Sequence, residues 1–318
     1  MPRLTIIGLG LIGGSLGMAL KRAKVDVEIV GFSRKHQTAD RAKRAGAIDK
    51  AEWNLPAAVS GASLVVIATP PLAIRTVLQD IAPHLPEDCT VSDVASTKEQ
   101  VLAWAEEILP RNVSFVGGHP MAGKEGSGID NAEADLFKDR TYCIVPSTSA
   151  KPAAVQAVVA LAKAVGAIPR FLDAAEHDGL VAGVSHLPFV VATALVNITT
   201  QSTGWREAGR LAAGGYRDTT RVASGDPAMY HDICLTNRLS ILGWIDAFLD
   251  ELGRLREMVS EGSPELEKVF RQAKEARDRW LVEGSREEPL MQVEIPSMGK
   301  SISGLFLPQR PPDKKDKR

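Results

Sequence analysis

The sequence predicts an α/β fold, with a doubly wound parallel sheet followed by an all-α domain. In the first half of the chain, short and nearly continuous apolar runs alternate with amphipathic segments, which is typical of parallel strands covered by helices on both faces. Strand-like runs stop at Asp173, and apolar residues then recur at helical spacing. We therefore predict a sheet domain over residues 1–172, a helical domain over 173–285 and a disordered tail over 286–318.

The composition is that of a soluble globular protein. Of 318 residues, 44% are hydrophobic and 24% are charged, and 38 Lys and Arg balance 39 Asp and Glu. This balance gives no net field that would favour nucleic acid or an anionic membrane as a partner. The three cysteines are far apart and form no C-x-x-C pair, which favours a reduced cytoplasm over a disulfide scaffold or a metal site.

The apolar stretch Leu4–Leu20 has the length of a signal segment, but it contains five glycines and no small-residue cleavage site follows it. It divides into strand Leu4–Ile7, a glycine-rich turn and helix Ser15–Arg22. The turn has the pattern G-x-G-x-x-G between a strand and a helix, the context in which this pattern binds dinucleotides. Its glycines allow a tight turn, a close approach of pyrophosphate and helix–strand packing, and the helix N-terminus offers free N–H groups. The sequence therefore predicts a Rossmann-type domain with a cofactor site at Gly8, Leu9, Gly10, Leu11, Ile12 and Gly13.

The residues after the second strand indicate whether the cofactor's ribose carries a 2′-hydroxyl or a 2′-phosphate. Strand Val27–Phe32 is followed by Ser33-Arg34-Lys35-His36, with no carboxylate to accept from the 2′-hydroxyl of NAD. A hydroxyl at Ser33 and a guanidinium at Arg34 suit a 2′-phosphate instead. This favours NADP over NAD; the alternative is a solvated basic loop.

Two further strands end at the same edge of the predicted sheet. Strand Leu64–Ala68 leads into Thr69 and Pro70, which we expect to line the cofactor site. Strand Cys89–Ser92 precedes Ser96, which with Glu99 has the pattern of a capping box for the next helix. A capping hydroxyl accepts from backbone N–H and still has its own proton to donate, so a structural and a functional role are compatible at Ser96.

A histidine follows the next apolar run, Val113–Val116, in the stretch Gly117-Gly118-His119-Pro120. Glycine lets the backbone pass close to a ligand, and proline fixes the turn after the histidine. Either His119 is exposed on a tight turn, or it points into a cleft at the end of its strand. Since both strands end on one edge, we expect Ser96 and His119 to meet.

The helical region carries a second candidate histidine. A helix over Glu176 to about Thr200, disturbed by Pro188, has a predicted core stripe that excludes His186. His186 lies on a face of small residues, which indicates close packing of either a neighbouring helix or a ligand. We expect His177 to be structural or solvated. The predicted core stripe comprises Leu180, Val184, Leu187, Val191, Leu195 and Ile198.

The remaining sequence predicts a polar loop and two long helices. The loop over Gly214 to Arg221 holds two guanidinium groups, and Asp226 with Pro227 has the pattern of a helix start. In the next helix, apolar residues alternate steps of four and three from Ile241 to Val259, a seam that fits either a homodimer or packing within one subunit. A last helix is expected over about Pro264 to Val282.

The chain resembles the prephenate/arogenate dehydrogenases, oxidoreductases of tyrosine biosynthesis. The resemblance runs from about Leu4 to Val282 and rests on five motifs in order. They are the N-terminal glycine motif, Asp93-Val94-Ala95-Ser96-Thr97-Lys98, Gly117-Gly118-His119-Pro120-Met121-Ala122-Gly123, Ser185-His186-Leu187-Pro188, and Gly215-Tyr216-Arg217-Asp218-Thr219-Thr220-Arg221.

The resemblance implies oxidative decarboxylation of a cyclohexadienol, with hydride leaving C4 for the nicotinamide. By the same resemblance, His119 takes the C4 hydroxyl proton, Ser96 orients it and Arg221 holds a substrate carboxylate. Arg217 is a second candidate anion contact, and His186 a candidate substrate contact. The Ser33-Arg34 signature resembles that of NADP-using cyanobacterial arogenate enzymes.

Two positions bear on substrate and regulation. Many family members have a second histidine where this chain has Phe189, so a contact to substrate or to inhibitory tyrosine is in question. Glu125, six residues after His119, suits the ammonium group of arogenate but could pair with Lys124 or a more distant arginine instead. The sequence leaves prephenate and arogenate open.

Two alternatives remain at this stage. One is a Rossmann reductase of the β-hydroxyacid dehydrogenase type, which uses a catalytic lysine in its second domain; no lysine lies between Asp173 and Arg221. The other is a non-catalytic NADP-sensing protein with the same fold.

Overall fold

The computed structural model describes residues 1–124 and 126–283. Glu125 and the tail predicted over 286–318 lie outside the described residues. The described chain separates into two compact units, a larger unit over residues 1–241 and a smaller one over residues 242–283. This separation falls inside the predicted helical domain, and the domain boundary at residue 172 stays a prediction.

An eight-stranded sheet forms the centre of the larger unit, in the order β3-β2-β1-β4-β5-β6-β7-β8. The chain builds outward from β1 to β3 and then crosses to β4, so the strand order reverses between β1 and β4. Ligands of such sheets bind beyond the carboxyl ends of the strands at this reversal. The strands are β1 (Arg3–Ile7), β2 (Glu28–Phe32), β3 (Lys50–Glu52), β4 (Leu64–Ile67), β5 (Thr90–Asp93), β6 (Ser114–Pro120), β7 (Thr141–Pro146) and β8 (Ile168–Phe171).

The sheet is dominated by parallel pairs. Five pairings from β3 to β6 are parallel, β6 and β7 are antiparallel, and β7 and β8 are again parallel to each other. The predicted fold class, a parallel sheet with helices followed by a helical region, is confirmed. The short strand β3 was not predicted, because Lys50-Ala51-Glu52 has a single apolar residue.

Helices cover both faces of the sheet. Leu16 and Leu20 of α1 pack in one apolar core with residues of α6, and Ile74 and Leu78 of α4 pack in the other with residues of α5. Burial on both faces explains why the strand sequences are continuously apolar. These helices are α1 (Leu11–Arg22), α2 (His36–Arg44), α3 (Leu55–Val59), α4 (Pro71–Ile81), α5 (Glu99–Ile108) and α6 (Pro152–Ala164).

The remaining helices of the larger unit follow β8. A π-helical turn over Ala182–His186 joins the first two and ends two residues before Pro188. Proline has no N–H for the carbonyl four residues earlier, so the disturbance expected at Pro188 takes the form of this turn. The helices are α7 (Ala174–Val181), α8 (Leu187–Thr200), α9 (Trp205–Leu211), α10 (Gly214–Thr220) and α11 (Pro227–Thr236).

The polar loop predicted over Gly214 to Arg221 is wrong, because this segment forms α10 and the start of a 3-10 turn. Tyr216 fixes the helix by a 2.8 Å hydrogen bond between its hydroxyl and Thr199 Oγ1 on α8. The sequence pattern did not predict this helix, because the segment contains two glycines and few apolar residues. The predicted start of α11 is confirmed, since the Asp226 side chain accepts from the backbone N–H of Ala228 and Met229.

Half of the core stripe predicted on α7 and α8 is exposed: Leu180, Val184 and Ile198 are exposed, and Leu187, Val191 and Leu195 are half-buried. Val184 and Ile198 are 75% and 69% exposed, whereas the opposite face, with Val181 and Phe189, is buried. Helical periodicity marked these residues as one apolar face, but it does not distinguish a protein core from an apolar surface. The continuous helical segment Ala174–Thr200 is also long and apolar enough to cross a membrane, by length and composition only.

The described part of the smaller unit, residues 242–283, contains two helices, as the sequence predicts. They are α13 (Glu265–Glu283) and most of α12 (Arg238–Ser260). Within this unit, seam residues such as Leu252 and Val259 are exposed.

Candidate active site

The glycine-rich turn at the end of β1 fits a dinucleotide. Gly8 has a φ of 100°, and a Cβ there would lie 2.4 Å from the carbonyl oxygen of Ala68. A Cβ at Gly13 would lie 1.9 Å from the carbonyl oxygen of Gly8, so these two glycines close the turn. A Cβ at Gly10 would meet no heavy atom within 4 Å. Gly10 therefore leaves open space in front of the α1 N-terminus, where free N–H groups can bind phosphate.

A buried hydroxyl next to this turn has no partner. Thr69 follows β4, and its Oγ1 is buried without a hydrogen bond, while Pro70 immediately precedes α4. A buried polar atom without a partner is costly, and a bound cofactor could supply one. Leu9 is buried and Leu11 and Ile12 pack on the core, so these three can offer backbone groups to a ligand but not side chains.

The basic segment after β2 is accessible. Ser33 Oγ accepts from the backbone N–H of Lys35 at 3.3 Å, and Arg34 and Lys35 are exposed. Across residues 1–124 and 126–283, neither cation pairs with a carboxylate. The ring of His36 stacks on Trp53, with 4.3 Å between the ring centroids. Both cations are available to an anion at the end of β2.

His119 lies within β6 and is buried, with 7% of its surface exposed. The alternative of an exposed turn is therefore wrong. Gly117 and Gly118 are part of the same strand, and a Cβ at Gly118 would lie 2.6 Å from the carbonyl oxygen of Asp93 and 2.7 Å from the hydroxyl of Tyr142. The glycine pair is required for close packing of β6 against its neighbours.

A buried ion pair, which the sequence did not predict, holds the end of β6. Lys98 Nζ bonds to the carboxylate of Asp93 and donates to the carbonyl oxygen of Gly118 at 2.8 Å. Asp93 also accepts from the backbone N–H of Ala95 at 2.9 Å and of Gly118 at 3.2 Å. Removing one partner of such a pair typically costs about 3–5 kcal/mol. The pair thus ties β5 to β6 directly before His119.

The capping box predicted at Ser96 and Glu99 is wrong. Helix α5 begins at Glu99, and the carboxylate of Asp178 accepts from the backbone N–H of Lys98 at 2.8 Å and of Glu99 at 3.0 Å. A charged acceptor at a helix N-terminus makes stronger bonds than a hydroxyl, so the distant aspartate takes the capping role.

Ser96 is consequently left with a free side chain. It is half-buried, and within the described part of the chain its hydroxyl makes no hydrogen bond, to His119 or to any other residue. No hydrogen bond therefore joins Ser96 to His119 in the described chain; Ser96 follows β5, and His119 lies in the neighbouring strand β6.

His119 instead contacts His177, which the sequence led us to expect as structural or solvated. Nδ1 of His119 lies 2.9 Å from Nε2 of His177, and Nδ1 of His177 lies 2.7 Å from Oδ1 of Asp178. His177 and Asp178 are fully buried. No local pattern indicated this contact, because it joins a strand to a helix 58 residues further along.

His186 joins the same region through Asn237. The Asn237 amide donates to the backbone carbonyl of Asp178 at 2.8 Å and lies 3.2 Å from Nδ1 of His186. His186 is buried, and its Nε2 has no partner. Burial lowers the pKa of His186 to about 4, so the ring is neutral near pH 7 and offers Nε2–H as a donor.

The same low-dielectric surroundings keep His119 neutral. Burial first, and then the nearby His177, Lys98 and His186, hold the pKa of His119 well below its ordinary value. A neutral imidazole at the carboxyl end of a parallel strand can accept a proton near pH 7.

The two predicted arginines lie on α10 and just after it. Arg217 and Arg221 are exposed, and the side chain of Arg217 makes no hydrogen bond to the histidine cluster in the described chain. Nearby, the hydroxyl of Tyr230 donates to the carbonyl oxygen of Val222 at 2.5 Å and fixes the segment. Glu125 lies outside the described residues.

Comparison with known proteins decides the family. Residues 16–169 match the family described as prephenate dehydrogenase, nucleotide-binding domain, and residues 173–273 match prephenate dehydrogenase, dimerization domain. The chain is 36% identical to the prephenate dehydrogenase of Bacillus subtilis over 276 residues, which cover 86% of this chain and 74% of that protein. It is 31% identical to the cyclohexadienyl dehydrogenase of Zymomonas mobilis, over 86% of this chain and 94% of that protein.

The chain belongs to the prephenate/arogenate dehydrogenase family. Solved structures agree. Prephenate dehydrogenase from Aquifex aeolicus in complex with hydroxyphenyl propionate and NAD+ aligns with a TM-score of 0.82 at 29% identity, covering 88% of this chain and 98% of that one. Synechocystis arogenate dehydrogenase aligns with a TM-score of 0.75 at 30% identity, covering 87% and 99%.

Family membership makes the protein an oxidoreductase with a pyridine nucleotide cofactor, and the two alternative functions have no support among these relatives. Where many family members have a second histidine, Phe189 is buried and stacks on Tyr230 at 4.0 Å between ring centroids. An apolar stack thus replaces a polar group at that position of this prephenate/arogenate dehydrogenase.

Proposed function

We propose that the protein catalyses the NADP-dependent oxidative decarboxylation of prephenate or arogenate, which gives 4-hydroxyphenylpyruvate or tyrosine. The observation that carries the proposal is a buried, neutral His119 on the edge of the sheet that also bears the glycine turn. Both groups of a dehydrogenase site, a cofactor cradle and a base, are thereby located at carboxyl ends of parallel strands.

In this mechanism His119 accepts the proton of the substrate's C4 hydroxyl. Its lowered pKa keeps the ring unprotonated and ready at neutral pH. A nicotinamide held by the glycine turn would supply the acceptor for the hydride from C4. Loss of CO2 from C1 then completes aromatisation of the ring. The Lys98–Asp93 pair holds the strand end and with it the position of the base.

Other residues bind and orient the substrate. Ser96 has a free hydroxyl at the end of the neighbouring strand and orients the C4 hydroxyl with His119. Arg221 binds a substrate carboxylate with a forked pair of N–H groups, and Arg217 is a second anion contact. His186 offers a buried N–H without a partner as a substrate contact. Glu125 is the residue that selects between the ammonium of arogenate and the keto group of prephenate.

The coenzyme is NADP, held by Gly8 to Gly13, Thr69 and Pro70, with the 2′-phosphate at Ser33 and Arg34. The preference for NADP is supported by Arg34, whose exposed guanidinium at the end of β2 has no carboxylate partner in the described chain. An NAD enzyme carries an acidic group at this position.

The protein works in the cytoplasm as a homodimer built by its C-terminal helices. The match to a dimerization domain over residues 173–273 supports this, as does the exposed apolar stripe on α7 and α8.

The proposal is tested by assaying purified enzyme with prephenate or arogenate, each with NADP or NAD. We expect turnover of at least one cyclohexadienol, with a higher kcat/KM for NADP than for NAD. Arg34→Ala should weaken the binding of NADP more than the binding of NAD, because only NADP has the 2′-phosphate. Lys138→Ala, on a lysine far from β2 in sequence, is the matched control and should change neither. If neither substrate is turned over, the proposal is contradicted. If the ratio of kcat/KM for NADP to kcat/KM for NAD is the same in Arg34→Ala as in the unaltered enzyme, the assignment of Arg34 is contradicted.

A further inference from the structure

A continuous hydrogen-bonded chain lies behind the proposed base. His119 Nδ1 contacts His177 Nε2 at 2.9 Å, and His177 Nδ1 contacts Asp178 Oδ1 at 2.7 Å. All three side chains are buried, so water does not compete for these bonds. Neither His177 nor Asp178 has a role in the function proposed above.

The surroundings of Asp178 determine the tautomers along this chain. Both oxygens of its carboxylate accept from backbone N–H groups at the N-terminus of α5, Oδ1 from Lys98 and Oδ2 from Glu99. Because the carboxylate acts as the acceptor in these bonds, Nδ1 of His177, 2.7 Å from Oδ1, carries the hydrogen and its Nε2 accepts. His119 must then donate from its Nδ1, which leaves the lone pair on its Nε2 for the substrate hydroxyl.

We propose that His177 and Asp178 position His119 and hold the proton that it accepts; this inference rests on the proposed function. As the substrate's hydroxyl proton binds His119 Nε2, the proton on His119 Nδ1 moves to His177 Nε2. His119 remains neutral with its hydrogen on Nε2, and His177 becomes an imidazolium beside the Asp178 carboxylate. The proton returns to His119 and leaves to solvent after the product departs.

The distribution of charge favours this location for the proton. A positive charge on His119 is opposed by the buried ammonium of Lys98, whereas one on His177 adjoins the carboxylate of Asp178. Asp93 is already paired with Lys98, and Asp178 has no cationic partner besides His177 within residues 1–124 and 126–283. Titratable groups near the two rings include Lys98 and His186, Asp178 on His177, and Cys143, paired with His119 across β6 and β7. Asp93 is bonded to Lys98, and the Tyr142 hydroxyl lies against Gly118.

The kinetic test uses His177→Gln and Asp178→Asn. The glutamine amide can still accept from His119 but cannot hold a proton, and the asparagine cannot balance an imidazolium. In both variants we expect kcat to fall roughly 10- to 100-fold, less than the loss usual for removing the base itself, with KM within about twofold. The acid limb of the kcat–pH profile should move to lower pH, because the accepted proton is no longer stabilised by Asp178. An unmoved acid limb in both variants would reduce the two residues to a structural role and overturn the proposal.

Asp226→Asn is the matched control, because it also alters a carboxylate that caps a helix, here α11. In this variant the acid limb of the kcat–pH profile should lie at the same pH as in the unaltered enzyme. A shift of the same size in this control would overturn the interpretation of the kinetic test.

A second measurement requires neither turnover nor a folded variant. In the unaltered protein labelled with 15N-histidine, we expect NMR at neutral pH to show the hydrogen of His119 on Nδ1 and the hydrogen of His177 on Nδ1. A hydrogen on Nε2 of His119 would overturn the relay. Absence of turnover would contradict the proposed function and leave this result standing, so the two failures are distinguishable.

Discussion

Burial of the His186 imidazole lowers its pKa and thereby makes the free energy of unfolding depend on pH. Its folded-state pKa of about 4 is below the ordinary value of 6.5, so the folded protein binds this proton only at lower pH than the unfolded chain does. Between these two values the unfolded state holds more protons, and the free energy of unfolding therefore falls as the pH drops from about 6.5 to about 4.

His186→Asn should reduce this dependence, because the asparagine oxygen can accept from Asn237 but does not titrate. We expect the loss in free energy of unfolding from pH 7 to pH 4 to be smaller by roughly 3 kcal/mol in the variant. Urea denaturation at a series of pH values measures it, with exposed His231→Asn as the control. An equal pH dependence in both proteins contradicts burial of a neutral His186.

At this scale the sequence predicted residues that lie in motifs and missed those that act through long-range contacts. His119 was found because glycine and proline neighbours mark a close approach. His177, Asp178 and Lys98 were not assigned a role, because their partners are fixed by the packing of α7 and α5 against strand ends.

At the scale of elements, helical periodicity predicted the long helices and the apolar face of α7 and α8. It could not show that half of this face is exposed, since a protein core and an apolar surface have the same pattern. The helix cap supplied by Asp178 could not be predicted from the sequence either, because the capping residue lies 79 residues from the helix start and leaves no local pattern there. The helix α10 was missed because its sequence has two glycines and few apolar residues.

The exposed stripe gives a prediction for assembly. Val184→Glu with Ile198→Glu should shift the protein from a dimer towards its 34.1 kDa monomer, because a carboxylate buried at an interface without a partner is strongly unfavourable. Light scattering at micromolar concentration measures the mass. Ala153→Glu with Gln156→Glu adds the same charges to an exposed face of α6 and should leave the mass unchanged. A monomeric unaltered protein, or a double variant that remains dimeric, contradicts an interface at this stripe.

At the scale of the whole molecule, the order of the sheet brings three separate sequence signals to one edge. The glycine turn after β1, Thr69 after β4 and His119 near the end of β6 are far apart in the chain, and parallel pairing from β1 to β6 aligns their strands. Fold and family were predictable because each signal lies in a short, local motif. The helix that supplies His177 and Asp178 completes the cluster, and only the folded chain reveals its contribution.

The central claim is that this cluster removes a proton from a cyclohexadienol through His119. The most direct measurement is kcat for the unaltered enzyme and for His119→Asn, with saturating NADP and the preferred cyclohexadienol, following reduced coenzyme and aromatic product together. We expect one reduced coenzyme for each aromatic product, and a kcat about 10²-fold or more lower in the folded variant. An unchanged kcat in His119→Asn would contradict the claim.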